Sequence, residues 1–180
     1  MNKEIDISST VIKTERLILR PWRESDLGDF NEYASVDGVG QMAGWTPHKS
    51  LEESAAILKM FMEEKKSFAI EHDGKVIGSL GIEEYNEEKL PEFHEKSGRE
   101  IGYVLSKDYW GRGLTPEAVR AVIKYLFEEL ELDFLICRHY TDNEQSWRVQ
   151  EKCGFEHYKM VESKTKCGMV KHSWVSVLWR

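Results

Sequence analysis

Two short segments hold residue types that could do chemistry. Tyr109-Trp110-Gly111-Arg112-Gly113-Leu114-Thr115 lies where a strand-like run gives way to a helical one. Its glycines free the backbone to aim several N–H groups at one point, and the first turn of the following helix adds partial positive charge there. Such a nest can hold a phosphate. The segment lacks the Lys-Ser/Thr ending of a nucleotide-triphosphate loop and the spacing of a dinucleotide fingerprint. A lone Gly-x-Gly is more often a plain tight turn, so by itself the segment leaves both uses open.

The second segment is Asp142-Asn143-Glu144-Gln145-Ser146, opening a helix that ends at Lys152-Cys153-Gly154-Phe155. Asn143 and Ser146 are three apart and project from one side of that helix. Asn, Asp and Ser also favour helix caps, so capping is an equally open use. Cys137 and His139 could share a strand face, but no second ligand pair has suitable spacing. The expectation is free core cysteines and no metal.

The elements around these segments follow from periodicity. Arg16-Leu17-Ile18-Leu19-Arg20 alternates as a strand and Pro21 ends it. Ser25 is the expected cap of a helix burying Leu27, Phe30 and Tyr33-Ala34. Ser50 and Glu53 form a capping-box pattern ahead of a helix with Leu51, Ala55, Leu58 and Phe61-Met62 on one side. Residues 67–71 and 76–82 flank Asp73-Gly74, a strong hairpin signal. Residues 85–97 read as a polar loop or ragged strand end, and residues 100–105 as the next strand. Leu114, Ala118, Val122, Tyr125-Leu126 and Glu129-Leu130 set a helical period. Residues 134–137 form a strand, Thr141 or Asp142 caps the short late helix, and residues 156–161 and 173–178 return to strand. The expected order is β-α-α-β-β-β-α-β-α-β-β.

At 180 residues the chain has the length of one domain with a full core, with residues 1–12 read as a short N-terminal extension. A hydrophobic fraction of 41% and an aromatic fraction of 11% are globular. The formal charge of -7 argues against nucleic-acid binding through a basic face, and would mildly favour a cationic substrate. Three scattered cysteines, Cys137, Cys153 and Cys167, fit a reducing compartment rather than a disulfide framework. With no apolar signal region and no membrane-length run, a cytoplasmic monomer or homodimer is expected.

The pieces taken together resemble the GNAT superfamily of N-acetyltransferases, and within it the Rim-type branch that acetylates ribosomal-protein N-termini. Residues 14–20 resemble the family's opening strand, and Gly44-Trp45-Thr46-Pro47 a tryptophan-proline stretch before its second helix. Residues 99–105 followed by Tyr109-Trp110-Gly111-Arg112-Gly113, Thr115 and Glu117-Ala118 are similar to its coenzyme A segment. Asp142-Asn143, Ser146, Val149, Glu151-Lys152 and Gly154-Phe155 match its late helix. The resemblance implies an α/β (α+β) fold with a mixed sheet of about seven strands, about four flanking helices, and a V-shaped split between residues 100–105 and 133–138. It implies acetyl-CoA as cosubstrate. Main-chain groups of Tyr103, Val104 and Leu105 would pair with the pantetheine, N–H groups of Gly111, Arg112, Gly113, Leu114 and Thr115 would hold the pyrophosphate, and Asn143 would bond the pantetheine arm. Relatives often carry Arg or Gln three residues before the first turn glycine, where this chain has Asp108. Many carry a tyrosine general acid on the late helix, where this chain has Gln150. That leaves the Ser146 hydroxyl as the proton donor to the leaving sulfur.

Acetyl transfer needs a neutral amine, a place for the oxyanion and a proton for the thiolate. An α-amine with a pKa of about 8 is partly neutral at pH 7, whereas preparing a lysine amine costs about 3 kcal/mol more. Glu100, just before the cofactor-pairing residues, is the expected base, with Glu83 and Glu84 on the neighbouring strand as alternatives. A strand-end carboxylate of no special role is an equally common outcome. A backbone N–H near Val104 would meet the oxyanion. Trp45 and Tyr85, with Glu83, could line the acceptor entrance, although packing is the commoner use of such aromatics. The acceptor expected first is a peptide or protein α-amine, such as a ribosomal-protein N-terminus. Polyamines, amino acids, aminoglycosides and a non-catalytic acetyl-CoA sensor remain as alternatives.

Overall fold

The computed structural model describes residues 1–164 and 170–180, so Cys167 lies outside the described residues. Asp73 and Gly74 take φ of 49° and 80°, the paired positive values of a tight hairpin turn, and join β3 (Ser67–His72) to β4 (Lys75–Glu83). This hairpin sits inside a sheet of eight strands, one more than the sequence implies. The additional strand is β1 (Ile12–Lys13), whose two residues pair with β2 (Ile18–Pro21). The order across the sheet is β1-β2-β3-β4-β5-β6-β8-β7, with β5 at Gly98–Leu105, β6 at Phe134–Tyr140, β7 at Glu156–Lys164 and β8 at Val170–Trp179. Every neighbouring pair is antiparallel except β5 with β6.

Four α-helices flank the sheet: α1 (Leu27–Ala34), α2 (Leu51–Glu64), α3 (Leu114–Glu128) and α4 (Glu144–Lys152). Period-two alternation sorts the side chains of β5 between the two faces. Ile101, Tyr103 and Leu105 pack with Leu114, Ala118 and Val122 of α3. Val104 packs on the other face, with Phe30 and Tyr33 of α1 and Leu58 of α2. A third cluster joins Phe134, Ile136, Val175 and Val177 to Tyr85, Leu90 and Phe93 of the segment between β4 and β5. That segment is a loop as expected, yet its apolar residues are buried rather than solvated. The first residues are likewise drawn in, with Ile5 and Ile7 in the main core.

Three helix starts differ from expectation, each for a local reason. Ser25 lies in a short 3-10 turn (Glu24–Asp26) and caps nothing. The organiser is buried Asp26, whose carboxylate accepts two bonds from Arg20, each 2.8 Å, and one from the Arg23 N–H. Ser50 caps α2 by accepting the Glu53 N–H at 3.2 Å, but Glu53 reaches back to the Lys49 N–H instead of that of Ser50. Leu51 is consequently exposed, and Ser54 is the residue buried beside it, bonded to His48 and Asn31. At α4 the cap is Asn143, because Thr141 and Asp142 are used in the turn that bonds Asn143 N–H to the Tyr140 carbonyl.

Candidate active site

Strands β5 and β6 pair over only four residues, from Gly98 with Phe134 to Ile101 with Cys137. Beyond them β5 stays paired to β4 as far as Leu105, and β6 stays paired to β8 as far as Tyr140. Two strand edges therefore diverge inside the sheet, carrying backbone groups that the sheet does not satisfy. Glycine makes this geometry possible at two points. A Cβ on Gly98 would stand 2.3 Å from the Phe134 ring where the strands meet. A Cβ on Gly78 would stand 2.3 Å from the Val104 carbonyl oxygen, at the end of β5 that edges the split.

A cavity of about 630 Å³ fills the split. Of the residues expected at the cofactor site, Tyr103, Val104, Leu105, Gly111, Gly113, Leu114, Thr115 and Asn143 all line it. Gly111 and Gly113 adopt φ of 74° and 76°, so the turn needs glycine there. Gly113 is the N-cap of α3 and offers no side chain to its first turn. The N–H groups of Leu114 and Thr115 have no helical partner, and Pro116 has no N–H, so the helix end meets the cavity as open donors. The turn is clamped from outside: Trp110 Nε1 donates to the Leu105 carbonyl at 2.7 Å, and Arg16 donates to the Arg112 carbonyl at 2.9 Å. Arg16 also pairs with Glu117 at 2.6 Å. The Arg112 guanidinium does not line the cavity and lies over the Tyr109 ring.

Asn143 takes the capping use the sequence left open, and it also lines the cavity. Its Oδ1 caps α4 by accepting the Ser146 N–H at 3.1 Å, while the residue faces the cavity. Ser146 lines the cavity too, with its Oγ 3.0 Å from the Tyr103 hydroxyl and 3.3 Å from Gln150 Nε2. The Tyr103 side chain was missed in the sequence, where only its main chain was given a task. The signal was present: a polar-tipped residue in the apolar Ile101-Tyr103-Leu105 row must find a partner on the α3–α4 face. Burial raises its hydroxyl well above the usual phenol range, so it remains a donor at neutral pH.

Glu100 lines the cavity from the opposite face of β5, in register with Ile136. Burial raises its carboxyl, and the nearby charge of Glu83 adds to the rise, while Arg138 opposes it by donating from Nε at 2.6 Å. The remaining expected residues stand outside the cavity. Tyr85 is only 2% exposed and packs edge-on against Phe134, because that cluster offers it an apolar bed. Glu83 lies directly across from Glu100, but its carboxylate turns to Lys66 at 2.9 Å. Trp45 packs against His48 and closes over Gly40, leaving its neighbours Ala43 and Gly44 at the cavity wall. Glu84 reaches Arg99 at 3.6 Å and does not line the cavity. Among the described residues no three His, Cys, Asp or Glu side chains gather as a metal site.

The family model described as "Acetyltransferase (GNAT) domain" matches residues 16–156. This chain belongs to the GNAT acetyltransferase family. The uncharacterized N-acetyltransferase YoaA of Bacillus subtilis is 30% identical over 153 residues, covering 81% of this chain and 82% of its own. A GNAT-family acetyltransferase from Bacillus anthracis superposes with a TM-score of 0.82 at 24% identity, over 94% of this chain and 98% of that one. The ribosomal L7/L12 α-N-protein acetyltransferase RimL superposes with a TM-score of 0.78 at 15% identity, over 95% and 94%. The protein is thus an acetyl-CoA-dependent N-acetyltransferase of mixed α/β fold. The residues of this acetyltransferase fit that thioester cosubstrate: diverging strand edges suit an extended amide chain, and open helix-end donors suit a pyrophosphate.

Proposed function

We propose that this acetyltransferase modifies the α-amine of a peptide or protein by direct attack of the amine on the acetyl thioester. The observation that carries the reading is a cavity through the sheet with a carboxylate, Glu100, on one face and a hydroxyl, Ser146, on the other. The edge of Tyr103, Val104 and Leu105 and the side-chain amide of Asn143 take the pantetheine. The amides from Gly111 to Thr115, that of Arg112 included, take the pyrophosphate. The acceptor amine comes from the α1–α2 face in its neutral form. Its nitrogen attacks the carbonyl carbon and passes the proton it must lose to Glu100, the C–S bond breaks, and the thiolate takes the Ser146 proton. The proton left on Glu100 returns to Ser146 through solvent, so the site resets.

Glu100 is a carboxylate whose basicity burial raises and the Arg138 guanidinium restrains, and beside an amine it remains a weak base. Such a base suffices for an amine of pKa about 8 and falls short for one near 10.4. The shared fold with RimL and the formal charge of -7 point the same way, toward a basic N-terminal segment. No helix among the described residues is long and apolar enough to cross a membrane.

Two matched peptides test the reading, one with a free N-terminus and no lysine, the other with a blocked N-terminus and one lysine. Release of free thiol with the first alone is the expected result. Preference for the second overturns the α-amine assignment. Rejection of both, with turnover of a polyamine or aminoglycoside, moves the enzyme to small amines.

A further inference from the structure

Gln150 occupies the place where many relatives carry the tyrosine acid, and in the sequence it reads as a loss. In the structure it is fully buried and bonded at both ends. Its Oε1 lies 3.0 Å from His139 Nδ1, and its Nε2 donates to Ser146 Oγ at 3.3 Å. An amide oxygen only accepts, so His139 carries its proton on Nδ1. His139 is itself buried, under stacked Trp147 and His157 rings. That bond fixes which end of the Gln150 amide meets Ser146. The Tyr103 hydroxyl stands 3.0 Å from the same Oγ and 3.1 Å from the Ser146 carbonyl oxygen, so its one proton can serve either.

We propose that Gln150 and Tyr103 are positioning residues that hold Ser146 as a proton donor aimed into the cavity, with His139 locking Gln150 in its donating sense. A serine oxygen has two lone pairs and one proton. Gln150 fills one lone pair, and in the proposed arrangement the single Tyr103 proton turns to the other rather than to the Ser146 carbonyl, so the serine's own proton is left for the sulfur. When that proton moves to the thiolate, the same two donors stabilise the alkoxide left behind. The proton taken by Glu100 then restores Ser146 through solvent, and no other reactant is needed. The inference rests on the reading of Ser146 as the donor given above.

The decisive variant is Gln150→Glu, of nearly the same shape. An ionised carboxylate there only accepts, so it draws the Ser146 proton away from the cavity. Protonated at low pH, the introduced carboxyl can again donate. The expected result is a kcat lowered roughly 100-fold at neutral pH, an unchanged KM for acetyl-CoA, and a loss that shrinks as pH falls. A merely structural role would not produce that recovery. Tyr103→Phe, which removes the other donor, is expected to lower kcat roughly tenfold with the same KM. If the introduced charge unfolds the protein, seen by melting, the Tyr103→Phe result decides. Wild-type kcat in Tyr103→Phe, or a Gln150→Glu loss equal at every pH, overturns the proposal. Ser146→Ala run alongside separates the two levels: a normal rate there refutes the reading of Ser146 itself, and the positioning claim with it.

Discussion

Arg138 Nε stands 2.6 Å from the Glu100 carboxylate, which makes Arg138 the group that holds down the pKa of that carboxyl. Burial favours the protonated form and the guanidinium favours the charged one. The acid form of Glu100 cannot accept the amine proton, so activity falls as pH drops through its pKa. Glu100→Gln is expected to lower kcat/KM by about 10²–10⁴-fold and to remove that acidic limb. Arg138→Met removes the opposing charge, so the limb moves to higher pH. A pH series of initial rates checks both, and an unmoved limb would separate Glu100 from the chemistry.

Gly111 and Gly113 are required for their backbone conformation rather than for space. A Cβ on Gly111 meets nothing within 4 Å, and one on Gly113 meets only the Arg16 guanidinium at 3.6 Å. Replacing both with Val forces a β-branched residue to positive φ, at a cost of more than about 1 kcal/mol each. The turn then relaxes and its amides lose their common aim. Acetyl-CoA should raise the melting temperature of the natural protein and leave that of the double variant unmoved.

Gly78 tests the edge of β5 from the neighbouring strand. Gly78→Ala sets a methyl group against the Val104 carbonyl, and overpacking of this kind costs about 1–3 kcal/mol. Titration calorimetry is expected to show weakened acetyl-CoA binding, since Val104 and Leu105 edge the split. Unchanged affinity in a folded variant would detach this close approach from cofactor binding.

The Arg20–Asp26 pair is buried on both sides, with Glu71 adding a second carboxylate 2.6 Å from Arg20. Neutralising Asp26 leaves Glu71 alone to offset buried Arg20 and weakens the bond from the Arg23 N–H. Asp26→Asn is expected to cost about 3 kcal/mol. Urea unfolding measures it, and a loss under about 1 kcal/mol would mean that water already reaches the pair.

The element order was legible because its signals are local: an Asp-Gly turn, a helical period from Leu114 to Leu126, glycines before a helix. The phosphate-type turn and the face shared by Asn143 and Ser146 were legible for the same reason. What the sequence hid depends on contacts between distant residues. Nothing near Tyr85 announces that Phe134, 49 positions on, will cover it. Asp26 displaced Ser25 as organiser of α1 because Arg20 is turned inward by Glu71, a partner from another strand. Tyr103 and Gln150 acquire their tasks only once α4 is laid across β5.

Among the described residues, the four residue pairs that join β5 to β6 are the whole of the strand ladder between the two parts of the sheet. Mechanically they form a seam: strands β1 to β5 on one side, β6, β8 and β7 on the other. A molecule lying in the split as an extra strand would act as a stitch across it. Amide hydrogen exchange along Gly102–Leu105 and Arg138–Tyr140 should then slow together when acetyl-CoA is added. The substrate would be a temporary part of the protein's tensile structure, present during each catalytic cycle and gone after it.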